Sequence, residues 1–246
     1  MVKLMRSKFE IVYFDLDNTL LDFSRSERQA LNNVFKTLGL ELTESDIDTY
    51  ISINKKWWKL FSDGKYSKDR IVVARFEEFL KFLGINNIEP SVVANMYLEH
   101  LSQLAFFLTG AEEMLQKLKD SNQRMAVLTN GVKRVQHSRS KILNLGRYME
   151  FVLTSEEAGK PKPDPALFIL ASKISGVPLN RSVYVGDDPV TDKQGAQNAG
   201  VDFILFDPKN TYNLSDIRVV HNFTELFDIL SCSKTSKGVS RCSKDS

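Results

Sequence analysis

The run Phe9-Glu10-Ile11-Val12-Tyr13-Phe14-Asp15-Leu16-Asp17-Asn18-Thr19-Leu20-Leu21 constrains this chain more than any other stretch. Its apolar half is β-branched or aromatic with no clean alternation, the pattern of a strand buried on both faces of a parallel sheet. That strand runs directly into two acids spaced i, i+2 and then a threonine. Carboxylates at the end of a buried strand are costly unless a cation or hydrogen-bond donors meet them. Taken alone, Asp15 and Asp17 would serve equally well to shape a turn and cap the next helix. Only the rest of the chain can supply the partners of a site.

Composition narrows the setting. The 246 residues are 42% hydrophobic and 26% charged, enough for one α/β domain with a smaller one inserted. A net charge of +2 gives no electrostatic case for nucleic-acid binding. His100, His137 and His221 share no metal-ligand spacing. Both cysteines, Cys232 and Cys242, fall in a Ser/Lys-rich stretch, 231–246, that is expected to be a disordered tail. A disulfide framework is therefore not expected. With no signal-peptide pattern and no apolar run of membrane-span length, a cytoplasmic location without membrane partners is expected.

After Leu21 the period turns helical for about eighty residues. One stripe runs from Ala30 to Leu38 and closes at Gly39. A second opens at Thr43-Glu44-Ser45-Asp46 and reaches the Asp63-Gly64 turn. A third begins near Ser67, and a fourth runs from Pro90 to about Phe107. From Thr109-Gly110 strands and helices alternate: strands at Arg124 to Gly131, Phe151 to Thr154, Ser182 to Val185 and Val201 to Phe206, with a last helix near Thr224 to Leu230. This predicts a Rossmann-like α/β core with a parallel sheet, built from 1–21 and 108–230, carrying an inserted four-helix cap at 22–107. Asp15/Asp17, Thr129/Asn130, Lys160/Lys162 and Asp187/Asp188 all follow strand ends or lie in the loops feeding the next helix. In an open α/β sheet that edge binds ligands.

Several carboxylates, a lysine, a hydroxyl and a strand-end Asn-Gly, with no His, Cys or Ser nucleophile, suit a hard oxygen-preferring cation such as Mg²⁺. Together with a lysine and hydroxyl donors, such an ion meets the oxygens of a phosphoryl group. A carboxylate can then attack phosphorus, and a second acid two residues on can move the proton.

Asp15-Leu16-Asp17-Asn18-Thr19-Leu20 resembles the first motif of the haloacid dehalogenase-like (HAD) hydrolases. Val127-Leu128-Thr129-Asn130-Gly131 resembles the second, Lys162-Pro163 the third, and Gly186-Asp187-Asp188 with Asp192 the fourth. The resemblance implies Asp15 as nucleophile and Mg²⁺ ligand, and Asp17 as general acid/base with its carbonyl also on the metal. It implies Thr129 and the Asn130 backbone as phosphoryl donors, Lys162 as charge balance and Asp187 as a further metal ligand. Lys160 competes with Lys162, which is preferred for its Lys-Pro-Asp context, and both Asp188 and Asp192 fit the variable second acid. Dehalogenases of the group lack the acid at the position of Asp17, so its presence points to phosphomonoester hydrolysis. A phosphonatase would need a cap lysine, for which Lys55, Lys56 and Lys68 are available, and a phosphomutase shares the core chemistry.

The cap stretch Tyr50 to Trp58, Gly64, Arg75-Phe76 and the loop Ser155-Glu156-Glu157-Ala158-Gly159 resemble a pyrimidine 5′-nucleotidase subgroup. That implies a nucleoside monophosphate as the small-molecule partner, with Trp57 stacking on the base, Asn54 reading its edge and Arg75 assisting. Sugar phosphates and phosphoglycolate are the alternative substrates. A silent phosphometabolite-binding module is the non-enzymatic alternative. Monomer and dimer are both open.

Overall fold

The computed structural model describes residues 8–231. Cys232, Cys242 and all of the expected tail except Ser231 lie outside the described residues; Ser231 is the last residue of a helix. Strands β1 (Ile11–Phe14), β2 (Arg124–Thr129), β3 (Val152–Thr154), β4 (Ser182–Gly186), β5 (Asp202–Phe206) and β6 (Arg218–Val220) form one sheet in the order β3-β2-β1-β4-β5-β6. Every pairing is parallel. β6 has no counterpart in the sequence reading, because its three residues follow a long polar loop and show no run of their own.

The lack of alternation in β1 is explained by what covers the sheet. Val12 and Phe14 point to one layer, under α5 (Ala111–Asp120) and α10 (Phe223–Ser231), where they meet Leu115 and Leu226. Ile11 and Tyr13 point to the other, under α8 (Ala166–Ser175) and α9 (Gln194–Ala199), with Phe168 and Ala196. Each fully buried Val, Leu or Phe contributes about 1.5–3 kcal/mol. The two layers together therefore outweigh the several kcal/mol that a buried charge at the strand ends costs.

The chain leaves this core at Leu21 and returns at Phe107, which form an antiparallel bridge. Asp22 N–H donates to the Phe106 carbonyl and Leu108 N–H to that of Leu20, both at 2.9 Å. Between these points lie α1 (Phe23–Thr37), α2 (Glu44–Ser62), α3 (Lys68–Phe82) and α4 (Pro90–Ser102). They share a second apolar core of Leu31, Phe35, Tyr50, Phe79 and Tyr97, which Val135 of α6 (Lys133–Ile142) joins from the sheet side. α2 opens with a capping box between Thr43 and Asp46, as the Thr-Glu-Ser-Asp signal predicts. α4 stops at Ser102 rather than near Phe107, because the residues after it form the return strand of the neck.

Candidate active site

The site lies where the strand order reverses, at the carboxyl ends of β1 and β4 and beside β2. Asp15 N–H donates to the Val185 carbonyl at 2.8 Å, which extends the β1–β4 ladder and sets the carboxylate at the sheet edge. Asn18 then takes a positive φ of 60°, turning the chain back so that Leu21 N–H reaches the Leu16 carbonyl at 2.9 Å. From the other side, Asn130 holds the lysine loop with both ends of its amide. Its Oδ1 accepts from Lys162 N–H at 2.8 Å, and its Nδ2 donates to the Lys162 carbonyl at 2.9 Å. The Asn130 side chain is therefore occupied with positioning Lys162.

Lys162 is 2% exposed, and its ammonium donates to Asp15 Oδ1 at 2.7 Å, to Asp192 Oδ1 at 2.8 Å and to the Tyr184 hydroxyl. Lys160 is 69% exposed on its side chain and pairs with Asp164 at 3.2 Å, away from the site. The two candidate acids of the fourth motif also separate. Asp188 caps the π-helical turn Pro189–Lys193, accepting from Val190 and Thr191 N–H. Asp192 faces Lys162 with one oxygen and accepts from Asp188 N–H at 3.2 Å with the other. A Cβ on Gly186 would lie 2.3 Å from Asp192 Oδ2, so glycine there lets the carboxylate in.

Asp15, Asp187 and Asp192 each offer an oxygen, all within 4.8 Å of one another. Burial, helped by Asp192 and opposed by Lys162, pushes the Asp15 carboxyl above its usual range. Burial, reinforced by Asp192 and Asp15, pushes Asp187 well above it too. Burial alone would lower the Lys162 ammonium, but Asp15 and Asp192 hold it above the ordinary lysine value. One lysine facing several carboxylates leaves an excess of negative charge in a low-dielectric pocket, which a divalent cation would neutralise.

Asp17 is bound by two residues that the sequence reading missed. Gln136 Nε2 donates to its Oδ2 at 2.6 Å, and Arg139 Nη1 to its Oδ1 at 2.5 Å. Both donors come from α6 and are buried, Arg139 completely. Gln136 also donates to Thr129 Oγ1 at 3.3 Å, and Gly131 N–H donates to the same oxygen at 3.0 Å. The Thr129 hydroxyl thus accepts from two N–H groups, leaving its own hydrogen to give. A Cβ on Gly131 would come within 1.9 Å of Gln136 Nε2. The sequence signal for this clamp is a Gln and an Arg at i, i+3 on the same helix side as Val135. It is faint, because α6 is otherwise highly polar. Tyr184 was missed because a tyrosine inside a strand reads as core.

The family model for haloacid dehalogenase-like hydrolases matches residues 12–206. The chain belongs to that family. The pyrimidine 5′-nucleotidase PynA of Streptococcus pneumoniae is 31% identical over 226 residues, spanning 91% of this chain and 94% of that protein. The pyrimidine 5′-nucleotidase YjjG of Escherichia coli is 28% identical over 79% of this chain and 84% of its own length. The HAD-hydrolase YfnB of Bacillus subtilis, solved bound to magnesium and described as showing interdomain movement, superposes with a TM-score of 0.84. It is 26% identical and covers 91% of this chain and 99% of that one. This chain is a HAD-like phosphatase. Family members generally use Mg²⁺, and the acidic cluster of this HAD hydrolase, made of hard carboxylate donors in excess of its one lysine, fits such an ion. Among the described residues no helix is long and apolar enough to cross a membrane.

Between the helical insertion and the HAD core runs a cleft of about 860 Å³. The acids, Lys162 and Thr129 line its floor, and one face of α2, with Ser52, Lys55, Trp58 and Lys59, lines its roof. The cap residues expected to meet substrate are divided between this cleft and the interior of the insertion. Arg75 lines the cleft, and Trp58 does so instead of Trp57. Trp57 packs on Tyr66 and donates its indole N–H to Glu78 at 2.9 Å. Adjacent helical residues point about 100° apart, so one tryptophan facing the cleft turns the other away. Asn54 is inside the insertion, donating to Glu27 Oε1 at 2.6 Å and accepting from Arg75 Nη1 at 2.7 Å. Of the other cap lysines, Lys56 pairs with Glu78. Lys68 crosses to the core, donating to the Gly131 carbonyl, Ser155 Oγ and Glu156 Oε1 at 2.9–3.0 Å.

Proposed function

We propose that the protein is an Mg²⁺-dependent phosphomonoester hydrolase that works through a phosphoaspartate at Asp15 and acts on pyrimidine nucleoside 5′-monophosphates. The observation that carries the reaction is the pairing of Asp15 Oδ1 with Lys162 at 2.7 Å, which leaves Oδ2 at the sheet edge for attack in the cleft that Thr129 also lines. In the first step Asp15 Oδ2 attacks phosphorus, the bond from phosphorus to the ester oxygen breaks, and that oxygen takes the proton of Asp17. Lys162 and the Thr129 hydroxyl hold charge as it moves onto the phosphoryl oxygens. In the second step the Asp17 carboxylate removes a proton from water. The water oxygen attacks phosphorus, and the bond to Asp15 breaks. Arg139 and Gln136 each bond one oxygen of Asp17 and so fix where its carboxyl points. Mg²⁺, held by Asp15, the Asp17 carbonyl and Asp187, would neutralise the phosphate dianion and draw electron density from phosphorus.

Two observations support the substrate. The relatives PynA and YjjG carry that activity in their names, and the cleft roof presents the half-buried Trp58 ring opposite the phosphate floor. Asp15→Asn should lower turnover by about 10⁴-fold or more with the fold unchanged. Acid quenching during turnover should trap phosphate on the wild-type chain. Retained hydrolysis in Asp15→Asn would refute the mechanism. A screen of nucleotides, sugar phosphates and phosphoglycolate with the purified enzyme tests the substrate, since a sugar-phosphate preference would remove the nucleotidase reading and leave the chemistry standing.

A further inference from the structure

The two central strands of the sheet carry a tyrosine at the same level. Tyr13 of β1 is the register partner of Tyr184 of β4, and both rings are buried in the layer under α8 and α9. Their hydroxyls go opposite ways. The Tyr13 hydroxyl meets Ser175 Oγ at 2.9 Å, at the end of α8, where Arg124, the first residue of β2, bonds the Ser175 carbonyl. The Tyr184 hydroxyl reaches the other edge of the sheet. It accepts from the Lys162 ammonium and lies 3.4 Å from Asp15 Oδ1 and 3.3 Å from Asp192 Oδ1.

Counting hydrogens shows what this hydroxyl does. An ammonium has three hydrogens to donate and accepts none, and a phenol has one to give. Around the Lys162 ammonium stand Asp15 Oδ1 at 2.7 Å, Asp192 Oδ1 at 2.8 Å, the Tyr184 hydroxyl, and the Leu128 carbonyl at 3.3 Å. The Leu128 carbonyl is closer to the Tyr184 hydroxyl, at 3.0 Å. Every group is satisfied when the lysine donates to Asp15, Asp192 and Tyr184, and the phenol donates to Leu128. The hydroxyl is then a spacer between the ammonium and the main chain of β2. Its ring is held in turn by Phe168, edge-on with centroids 5.0 Å apart. Gly195 of α9 lets this layer close, since a Cβ there would lie 3.0 Å from Phe168 Cε2 and 3.5 Å from Lys162 Cβ. A close-packed interior transmits a displacement rather than absorbing it.

We infer that Tyr184 is a positioning residue of the hydrolase: its hydroxyl takes the third hydrogen of Lys162 and so keeps the other two on Asp15 and Asp192. This rests on the reading of Asp15 as nucleophile and goes beyond it. Without the hydroxyl, the third hydrogen is left with the Leu128 carbonyl, and reaching it draws the ammonium away from Asp15 Oδ1. Lys162 then counters less of the charge that moves between Asp15 and the phosphoryl group. That loss falls on the transition state more than on substrate binding.

The test is Tyr184→Phe, which keeps the packed ring and removes one oxygen. Tyr13→Phe is the matched loss of a buried strand hydroxyl remote from the site. Turnover of UMP and of p-nitrophenyl phosphate is measured with saturating Mg²⁺. The Lys162 ammonium is followed by proton–nitrogen NMR, its signal identified by its loss in Lys162→Met. Tyr184→Phe should lower kcat about tenfold on both substrates with KM within about twofold, and should move the ammonium signal and speed its hydrogen exchange. Tyr13→Phe should change neither. In the wild type the same ammonium protons should show contacts to the Tyr184 ring, whose centroid is 5.0 Å from Nζ, a reading that needs no variant. A kcat within about twofold of wild type in Tyr184→Phe, an unmoved ammonium signal, or an equal fall in Tyr13→Phe would overturn the inference. Hydrolysis retained in Asp15→Asn would instead remove the phosphoaspartate reading, and the ammonium signal alone would then decide whether Tyr184 holds Lys162.

Discussion

Two buried clusters of charged side chains face each other across the cleft, and they are built on opposite plans. In the core, Asp15, Asp187 and Asp192 surround a single lysine, and the carboxylates are driven upward in pKa by burial and by one another. In the helical insertion, one acid and one base, Glu27 and Arg75, are joined through the neutral amide of Asn54. The first cluster is short of positive charge and suits a cation and a reaction in which charge moves. The second is balanced in number, one acid to one base, with its acid pushed up to about 7 by burial. The two sides of one cavity thus rest on separate electrostatic designs.

The sharpest way to break that contrast is Lys162→Met. It removes the one cation among buried carboxylates, and turnover should fall at least about 10²–10³-fold. Stability should fall by about 3–5 kcal/mol, as when one partner of a buried ion pair is lost. Urea unfolding with and without Mg²⁺ checks this, since the added ion should restore part of the loss in the variant. Gly131→Ala acts between the clusters. Its Cβ would displace Gln136, which is bonded to both Thr129 and Asp17, and kcat should fall about 10- to 100-fold with KM little changed.

Glu27→Gln tests the balanced cluster through pH. Burial, opposed by Asn54 and Arg75 and reinforced by Asp17, pushes the Glu27 carboxyl up to about 7 from a usual 4.5. The folded state then holds this proton more tightly than the unfolded one. The group's stabilising contribution is full below about pH 4.5, declines as pH rises, and is gone above about 7. The wild type should accordingly lose up to about 3 kcal/mol between pH 5 and 8 relative to Glu27→Gln, measured by urea unfolding at both values. The smallest effect belongs to Lys160→Ala. An exposed lysine paired only with Asp164 should change turnover less than about twofold, in contrast to its neighbour two residues on.

What the sequence reveals follows the same division. The core motifs are legible because each lies contiguously at a strand end, and parallel-sheet topology obliges strand ends to meet. Preference for Lys162 over Lys160 needed only the Lys-Pro-Asp context, and the structure brings Lys162 to Asp15. Gln136 and Arg139 were hidden because a helix rich in Lys, Arg and Ser reads as solvated. Glu27, Asn54 and Arg75 come from three different helices, and nothing local marks them as partners. For Asn54 the burial inside the insertion matters more than its base-reading chemistry. The Trp57-Trp58 pair could not be resolved without the rotation of α2, which one residue of register decides.

The neck formed by Leu21 and Phe107 has a wider consequence. Because the outgoing and returning chains are bonded to each other, the eighty-odd residues between them leave and rejoin the sheet at one place, and side-chain contacts such as those of Lys68 and Val135 tie them to the core elsewhere. A segment whose two ends already touch can be lengthened, shortened or exchanged without changing any strand order beneath it. The fold therefore behaves as a fixed tool with a detachable handle, and lineages can acquire new substrates by replacing the handle while the cutting edge is inherited unchanged.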